Sequence, residues 1–556
     1  MWSLRASDEA IREHSESGVW RVWTPVDDLR RWARERPDAP ALVAHRAAHP
    51  TTRLSYREYE DWAGRFAGAF AELGVGSGDV VSVQLPNWWQ VMPLAVACWR
   101  MGAVWAPIMT TIRGRELERM LARLRTQVFV TTDSWDGHEH AATVAEMAQR
   151  LPELAHRVVL GDVVTDGEID FVRFFQETDR AVPSAEAADP DRVGLALFTS
   201  GSTGEPKAVL RTLNNQFAQM APGVPELGAG DTAPRTHTPQ SAMHSAGTNS
   251  YLVALWRGGT ALVTDRWDPA VTAGLLARER IEYLWLVPSF LTELLAALRA
   301  DGSPRLPALR EVTAVGAAVS ARLVADTAEV LGMPLRTVWG STEGGGTGTG
   351  PDDPDDWAAH SIGRPGPNTE IELRPVVLGE TVDEKNPGQV FIRGASVCLA
   401  TIGRDSGELR VLAKHDDGWY DIGDLAVCDG RGGYRLVGRV ADRIGDGFMI
   451  PVPDVEDALR AHPDIVDVAV VGHRGGLEGC AVLVATAPVT VRDVRDYLGG
   501  LGMTEWYWPT RVERVSALPR NGMGKVEKAQ LRARLDEALE DRVATHGQFR
   551  DQSKAE

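Results

Sequence analysis

The 556-residue sequence predicts an α/β fold: a large N-terminal body of mainly parallel sheets flanked by helices, then a small α+β C-terminal domain. Three observations predict it. Apolar residues alternate between helical and strand spacing along most of the chain, the pattern of crossover units that lay strands parallel with helices on their faces. The loop TSGSTGEPK, rich in glycine and hydroxyls, directly follows the apolar run VGLALF, so a turn able to aim backbone NH groups at an anion sits on a strand end. From residue 454 helix and strand patterns resume in a compact stretch of about a hundred residues, an ordinary domain size.

Taken in order, residues 54–70 repeat apolar positions at helical spacing and stop near Gly74, a residue suited to a helix C-terminus. Residues 80–85, VVSVQL, follow as a short buried strand, and residues 193–198 form the strand before the glycine loop. Helix then strand recurs at 275–280 and 283–287, and again at 289–299 and 312–315. Residues 1–438 therefore form one body. Residues 439–535 form the second domain, with helices at 454–462 and 491–497 and strands at 465–471 and 481–485. Residues 536–556 are a polar tail.

Bulk properties narrow the function. A formal charge of −18 argues against nucleic acid, so a polyanionic ligand has to meet a local cluster of Lys and Arg. The polar N-terminus lacks a signal peptide's apolar run, and no apolar stretch reaches the ~18 residues of a spanning helix. Four scattered cysteines, Cys98, Cys398, Cys428 and Cys480, form no metal or disulfide pattern and suit a reducing compartment. A soluble, cytoplasmic protein is the expectation.

The loop is not a Walker P-loop. That motif needs lysine directly after glycine at a helix start, whereas Lys207 follows Pro206 and precedes Ala208. Taken alone, the loop is better read as a Ser/Gly surface turn than as a phosphate cradle. Its company decides between them. TSGSTGEPK resembles the phosphate loop of the adenylate-forming (ANL) superfamily, in its acyl-CoA synthetase/ligase branch. Further landmarks follow in family order: residues 54–87 resemble the N-terminal helix–strand landmark, WGSTE (339–343) is similar to YGxTE, and DGWYDIGDLA (417–426) resembles the TGDL segment. Gly438-Arg439 stands at the interdomain junction, and LPRNGMGKVEK (518–528) resembles the C-terminal lysine motif.

The resemblance implies an ATP-dependent carboxylic acid–CoA ligase (AMP-forming), using ATP, Mg2+ and coenzyme A, with a mobile C-terminal domain. It implies that Thr199, Ser200, Gly201, Ser202, Thr203, Gly204 and Lys207 hold the β- and γ-phosphates. Gly316, Ala317 and Ala318 would flank adenine, Trp339 would stack on it, and Gly340 and Ser341 of the same motif would also bind the nucleotide. Thr342 would bond the α-phosphate and Glu343 would hold Mg2+. Asp424 would accept from the ribose, Arg439 would brace ribose and α-phosphate, Lys525 would bridge carboxylate and α-phosphate, and Gly447 would lie at the thiol tunnel. His244, in TPQSAMHSAGTNS, occupies the position beside the substrate carboxylate. That segment lacks the Asp which pairs an amino acid's ammonium, which favours a non-amino acid. Glycines at 344–350 leave room for a bulky acyl group, or else form a flexible loop. The thiol acceptor is CoA; the alternatives are a separate carrier protein, since no carrier domain is appended, or specialisation for one half-reaction.

Three departures motivate that last alternative. Ala441 stands at the hinge, Asp446 replaces a glycine beside Gly447, and Ile422 replaces the Thr of TGD. Hinge changes commonly alter both kinetic parameters, so the departures read either as neutral drift in a working ligase, the reading favoured here, or as a sign of unequal half-reactions.

Overall fold

The computed structural model describes residues 2–184, 187–199, 207–220, 233–376, 379–384, 386–403, 407–415, 417–440, 444, 450, 452–473, 478–503, 505–521 and 524–535. The expectations placed on Ser200 to Gly204, on Ala441, Asp446 and Gly447, and on the tail 536–556 lie outside those residues.

The chain forms two compact units: Met1–Thr199, Glu205–Ile371 and Ile392–Tyr420 in one; Ser200–Gly204, Glu372–Phe391 and Asp421–Glu556 in the other. Among the described residues the first unit holds two nine-stranded sheets. In one, six neighbouring strands run parallel in the order Leu335–Ser341, Glu311–Val315, Tyr283–Leu286, Arg235–His237, Thr260–Thr264 and Pro40–His45. In the other, Val193–Phe198, Val104–Pro107, Val80–Gln84, Val128–Thr132, His156–Leu160 and Ile169–Asp170 run parallel, and antiparallel strands close the edge beyond Val193–Phe198. This is the largely parallel α/β body that the alternation predicts.

Local chemistry sets the element ends. The helix expected over 54–70 runs over Tyr56–Glu72, because the Ser55 hydroxyl accepts from Glu58 N and the Glu58 carboxylate reaches back to Ser55 N. Leu54 belongs instead to the strand Thr52–Ser55. Gly74 takes φ +77° just past the helix, where its missing Cβ removes the left-handed penalty. The helix expected at 275–280 begins earlier, at Pro269, behind an Asp268 cap. Every residue of the helix Val91–Arg100 is buried, as befits a helix that is apolar nearly all round. The one charge there, Arg100, pairs with Glu60. The resulting core packs Phe66, Phe70, Trp99 and Trp105 at 1% exposure or less, a density that fixes the strand ends below it.

The second unit carries most of a four-stranded sheet, ordered Glu370–Pro375, Gly388–Arg393, Tyr420–Cys428 and Tyr434–Arg439. It also carries a three-stranded sheet of Ile465–His473, Glu478–Ala485 and Arg511–Arg514 packed with the helices Val452–Arg460 and Val491–Gly500. The expected α+β content is present. Among the described residues no helix is long and apolar enough to cross a membrane.

Candidate active site

Lys207 does not open a helix. It precedes the strand Ala208–Thr212, which runs antiparallel to Val193–Phe198, and Thr199 N donates back to the Lys207 carbonyl at 3.2 Å. The strands on either side of residues 200–206 are thus antiparallel neighbours, and Lys207 leads into a strand where a Walker lysine opens a helix. From this position the Lys207 ammonium reaches the Glu343 carboxylate at 2.6 Å and also donates to the Tyr420 hydroxyl. Tyr420 in turn donates to the same Glu343 oxygen at 3.2 Å. Glu343 is only 6% exposed. Burial pushes its carboxyl up, but the Lys207 charge and hydrogen bond more than offset this and hold it below the usual carboxylate value.

Ligands of open parallel sheets gather outside the carboxyl ends of the strands, and several expected residues fall there. Gly316, Ala317 and Ala318 leave the end of Glu311–Val315, with Gly316 at φ +89° and both alanines exposed. Trp339, Gly340 and Ser341 end the adjacent parallel strand, with Trp339 half-buried, and Thr342 and Glu343 follow directly. His244 leaves the same edge by way of the loop after Arg235–His237 and caps the helix Ser245–Trp256. Its Nδ1 accepts from Ala246 N at 3.3 Å, which puts the proton of the neutral ring on Nε2. Gly247 makes this loop possible, since a Cβ there would lie 2.0 Å from the Ser241 carbonyl oxygen.

The glycine run is a strand over Gly344–Gly348, antiparallel to Leu335–Ser341, rather than a flexible loop. At Gly344 the absence of a side chain serves the backbone. Its φ is +141°, and a Cβ would lie 2.7 Å from both the Ser396 oxygen and the Val397 Cα.

In the second unit, Asp424 and Arg439 face each other across antiparallel strands, with Arg439 Nε 2.9 Å from Asp424 Oδ1. Asp424 is 7% exposed. Ile422 lies half-buried on the same strand. Lys525 shares this electrostatic neighbourhood. Desolvation first, then the Arg439 charge, push its ammonium down to about 8 against the opposing pull of Asp424. The resemblance assigns these three residues to one nucleotide, and in the second unit their charges do act on one another.

The donor set fits the implied ligands. A buried carboxylate already satisfied by a cation, as Glu343 is by Lys207, is a hard oxygen ligand suited to Mg2+. A lysine at the start of the strand Ala208–Thr212, directly after the glycine- and hydroxyl-rich loop, suits phosphate oxygens. Residues 29–400 match the AMP-binding enzyme family, and residues 454–525 match the AMP-binding enzyme C-terminal domain. The chain belongs to the AMP-binding enzyme family.

Relatives of this AMP-binding enzyme extend over most of its length. It is 28% identical to a salicylyl-CoA synthase / salicylate adenylyltransferase from a Streptomyces species, over 94% of this chain and 96% of that one. It is 28% identical to the 2-hydroxy-7-methoxy-5-methyl-1-naphthoate–CoA ligase of Streptomyces carzinostaticus, over 95% and 96%. Its fold matches the anthranilate CoA ligase AuaEII solved with anthranoyl-AMP, with a TM-score of 0.80 at 21% identity, covering 94% of this chain and 99% of that one. The adenylate-forming superfamily and the two-part α/β fold expected from the motifs are therefore correct.

The motif reading missed two residues. Tyr420 and Arg211 both touch the Glu343 motif, from positions 77 residues after it and 131 residues before its Thr342. Tyr420 lies inside the DGWYDIGDLA segment, four residues before Asp424, so that motif marked its neighbourhood.

Proposed function

We propose that this AMP-binding enzyme is a carboxylic acid–CoA ligase. It activates a bulky, non-amino acid as an acyl-adenylate and passes the acyl group to CoA. The observation that carries the reading is the Lys207–Glu343 pair at the strand ends, a half-buried lysine that closes TSGSTGEPK and a buried carboxylate from WGSTE. ATP supplies the adenylyl group and Mg2+ offsets phosphate charge. The chain's own residues position and neutralise.

Thr199 and Lys207, with the loop Ser200, Gly201, Ser202, Thr203 and Gly204, bind the terminal phosphates. Thr342 bonds the α-phosphate, Glu343 holds the metal, and Trp339 with Gly340, Ser341 and Gly316 to Ala318 takes the adenine. Asp424 and Arg439 take the ribose, and Lys525 supplies a cation to the reacting carboxylate and α-phosphate. His244 offers Nε2–H to the acid, consistent with the use of Nδ1 as a helix cap. The relatives' salicylate and substituted naphthoate support an aromatic acid. Three of the four cysteines are buried and none is bonded to another, in keeping with a reducing cytoplasm.

Acid-dependent pyrophosphate exchange across a panel of acids tests the first half-reaction. Aromatic acids of one or two rings are expected to give the highest kcat/KM, and best turnover on acetate or propionate would remove the bulky-acid reading. Thioester formation with CoA and with purified carrier proteins tests the acceptor. Transfer to a carrier alone would favour the second reading, which the double name of the salicylate relative also supports. Exchange much faster than thioester formation from supplied acyl-adenylate would bear out unequal half-reactions.

Asp424→Asn keeps the shape but removes a charged acceptor, a loss of about 1.5–3 kcal/mol. We expect kcat/KM for ATP to fall about 10- to 100-fold while KM for the acid stays within about twofold. Steady-state kinetics with each substrate varied in turn checks this.

A further inference from the structure

Three consecutive carbonyls of the metal motif are each held by a separate donor. The Ser341 oxygen accepts from Gln219 Nε2 at 3.0 Å, the Thr342 oxygen from Arg211 Nη1 at 3.1 Å, and the Glu343 oxygen from Cys398 N at 2.7 Å. Arg211 governs two of the three, because its Nη1 also donates to Gln219 Oε1 at 2.6 Å and so orients the amide that reaches Ser341. Its other terminal nitrogen donates to the Asn215 and Ser396 carbonyls at 2.9 and 2.8 Å.

Arg211 is 0% exposed, and every acceptor it uses is neutral. Its Nε has no hydrogen-bond partner among the described residues. Burial pushes the guanidinium down to about 10, with the Glu343 charge among the influences that oppose this. A buried cation without an ion-pair partner in contact is costly. A purely structural brace of this shape could be built from neutral groups. What the charge adds is a field at Glu343.

Arg211 lies on the strand Ala208–Thr212, four residues after Lys207, which immediately precedes that strand. This one segment thus grips the motif twice. Lys207 holds the Glu343 carboxylate, while Arg211 holds the backbone beneath it. Under the proposed function, Lys207 turns to phosphate and Glu343 to metal, so the Lys207–Glu343 pair opens. The carboxylate then loses its cationic anchor, keeps the neutral Tyr420 hydroxyl, and leans more on its backbone for aim.

We propose that Arg211 is a positioning residue for metal–nucleotide binding: through Thr342 and Gln219 it keeps the Glu343 carboxylate and the Thr342 hydroxyl in place once Lys207 has let go. This rests on the proposed function, which assigns Glu343 to Mg2+ and Thr342 to the α-phosphate. Misplacing such groups by about an ångström costs up to about 100-fold.

The test uses the full chain with Arg211→Met, Arg211→Lys and Gln219→Leu. Two readouts are taken: the rise in thermal midpoint on adding ATP with Mg2+ over ATP with chelator, and the Mg2+ dependence of pyrophosphate exchange. For R211M we expect loss of the Mg2+-dependent rise and a half-saturating Mg2+ at least about tenfold higher, with KM for the acid within about twofold. R211K recovers part of both, and Q219L shifts both in the same direction by less. Folded R211M with wild-type values overturns the proposal, as does an equal loss in KM for the acid. Should R211M lose its cooperative melt, Q219L decides, and wild-type values there overturn it. A wild-type protein with neither a Mg2+-dependent shift nor exchange on any acid would instead overturn the functional reading.

Discussion

Replacing Lys525 by Met lowers acid-dependent pyrophosphate exchange by about 10²–10³-fold, the effect of removing about 3–4 kcal/mol of transition-state stabilisation. Thioester formation from supplied acyl-adenylate should fall far less, since the charge that Lys525 offsets develops while the adenylate forms. The pH profile carries a second signature. With its ammonium pushed down to about 8, Lys525 is a cation below that pH and loses its charge above it. The kcat/KM for exchange should therefore fall as pH rises through about 8, and K525M should lack that limb. The sign for stability is opposite. Between about 8 and the ordinary 10.5 the unfolded chain binds the proton more fully than the fold does, so Lys525 makes stability rise with pH over that window. Urea midpoints of wild type and K525M at pH 7.5 and 10 measure this.

Glu343→Gln is the second large effect. It removes the proposed metal ligand and leaves Lys207 facing an amide. Exchange should drop by about 10²-fold or more, and half-saturating Mg2+ should rise, both read from a Mg2+ titration at fixed ATP. Lys207 keeps 34% of its side chain exposed, so solvent discounts the stability loss to about 1 kcal/mol. Because Glu343 lies below the usual 4.5, the pair stabilises the fold above that pH, and the contribution is lost as the pH falls. The acid limb of the urea midpoint should be shallower in E343Q than in wild type.

The legible features were those whose signal is local. The lysine offset in TSGSTGEPK is a matter of neighbouring positions, and it excludes the Walker loop in agreement with the strand that follows Lys207. The helix at 54–70 was legible for the same reason, and its start was off by two residues because a capping box outweighs apolar spacing. The glycine run at 344–350 shows the limit. Composition allowed either room for a ligand or a flexible loop, whereas Gly344 lies in a strand pressed against the Ser396–Val397 backbone.

By itself the sequence determined the fold class, the order of the landmarks and the residue types that could meet phosphate, metal and ribose, because period, turn chemistry and motif spacing are written between near neighbours. Only the tertiary structure decided which of those residues act on one another. Lys207 meets Tyr420 across 213 positions, and Arg211 meets Thr342 across 131. Such pairings follow from strand order and from which strand ends fall side by side. Burial then turns that adjacency into chemistry, holding Glu343 ionised beside Lys207 and pressing Lys525 toward neutrality beside Arg439.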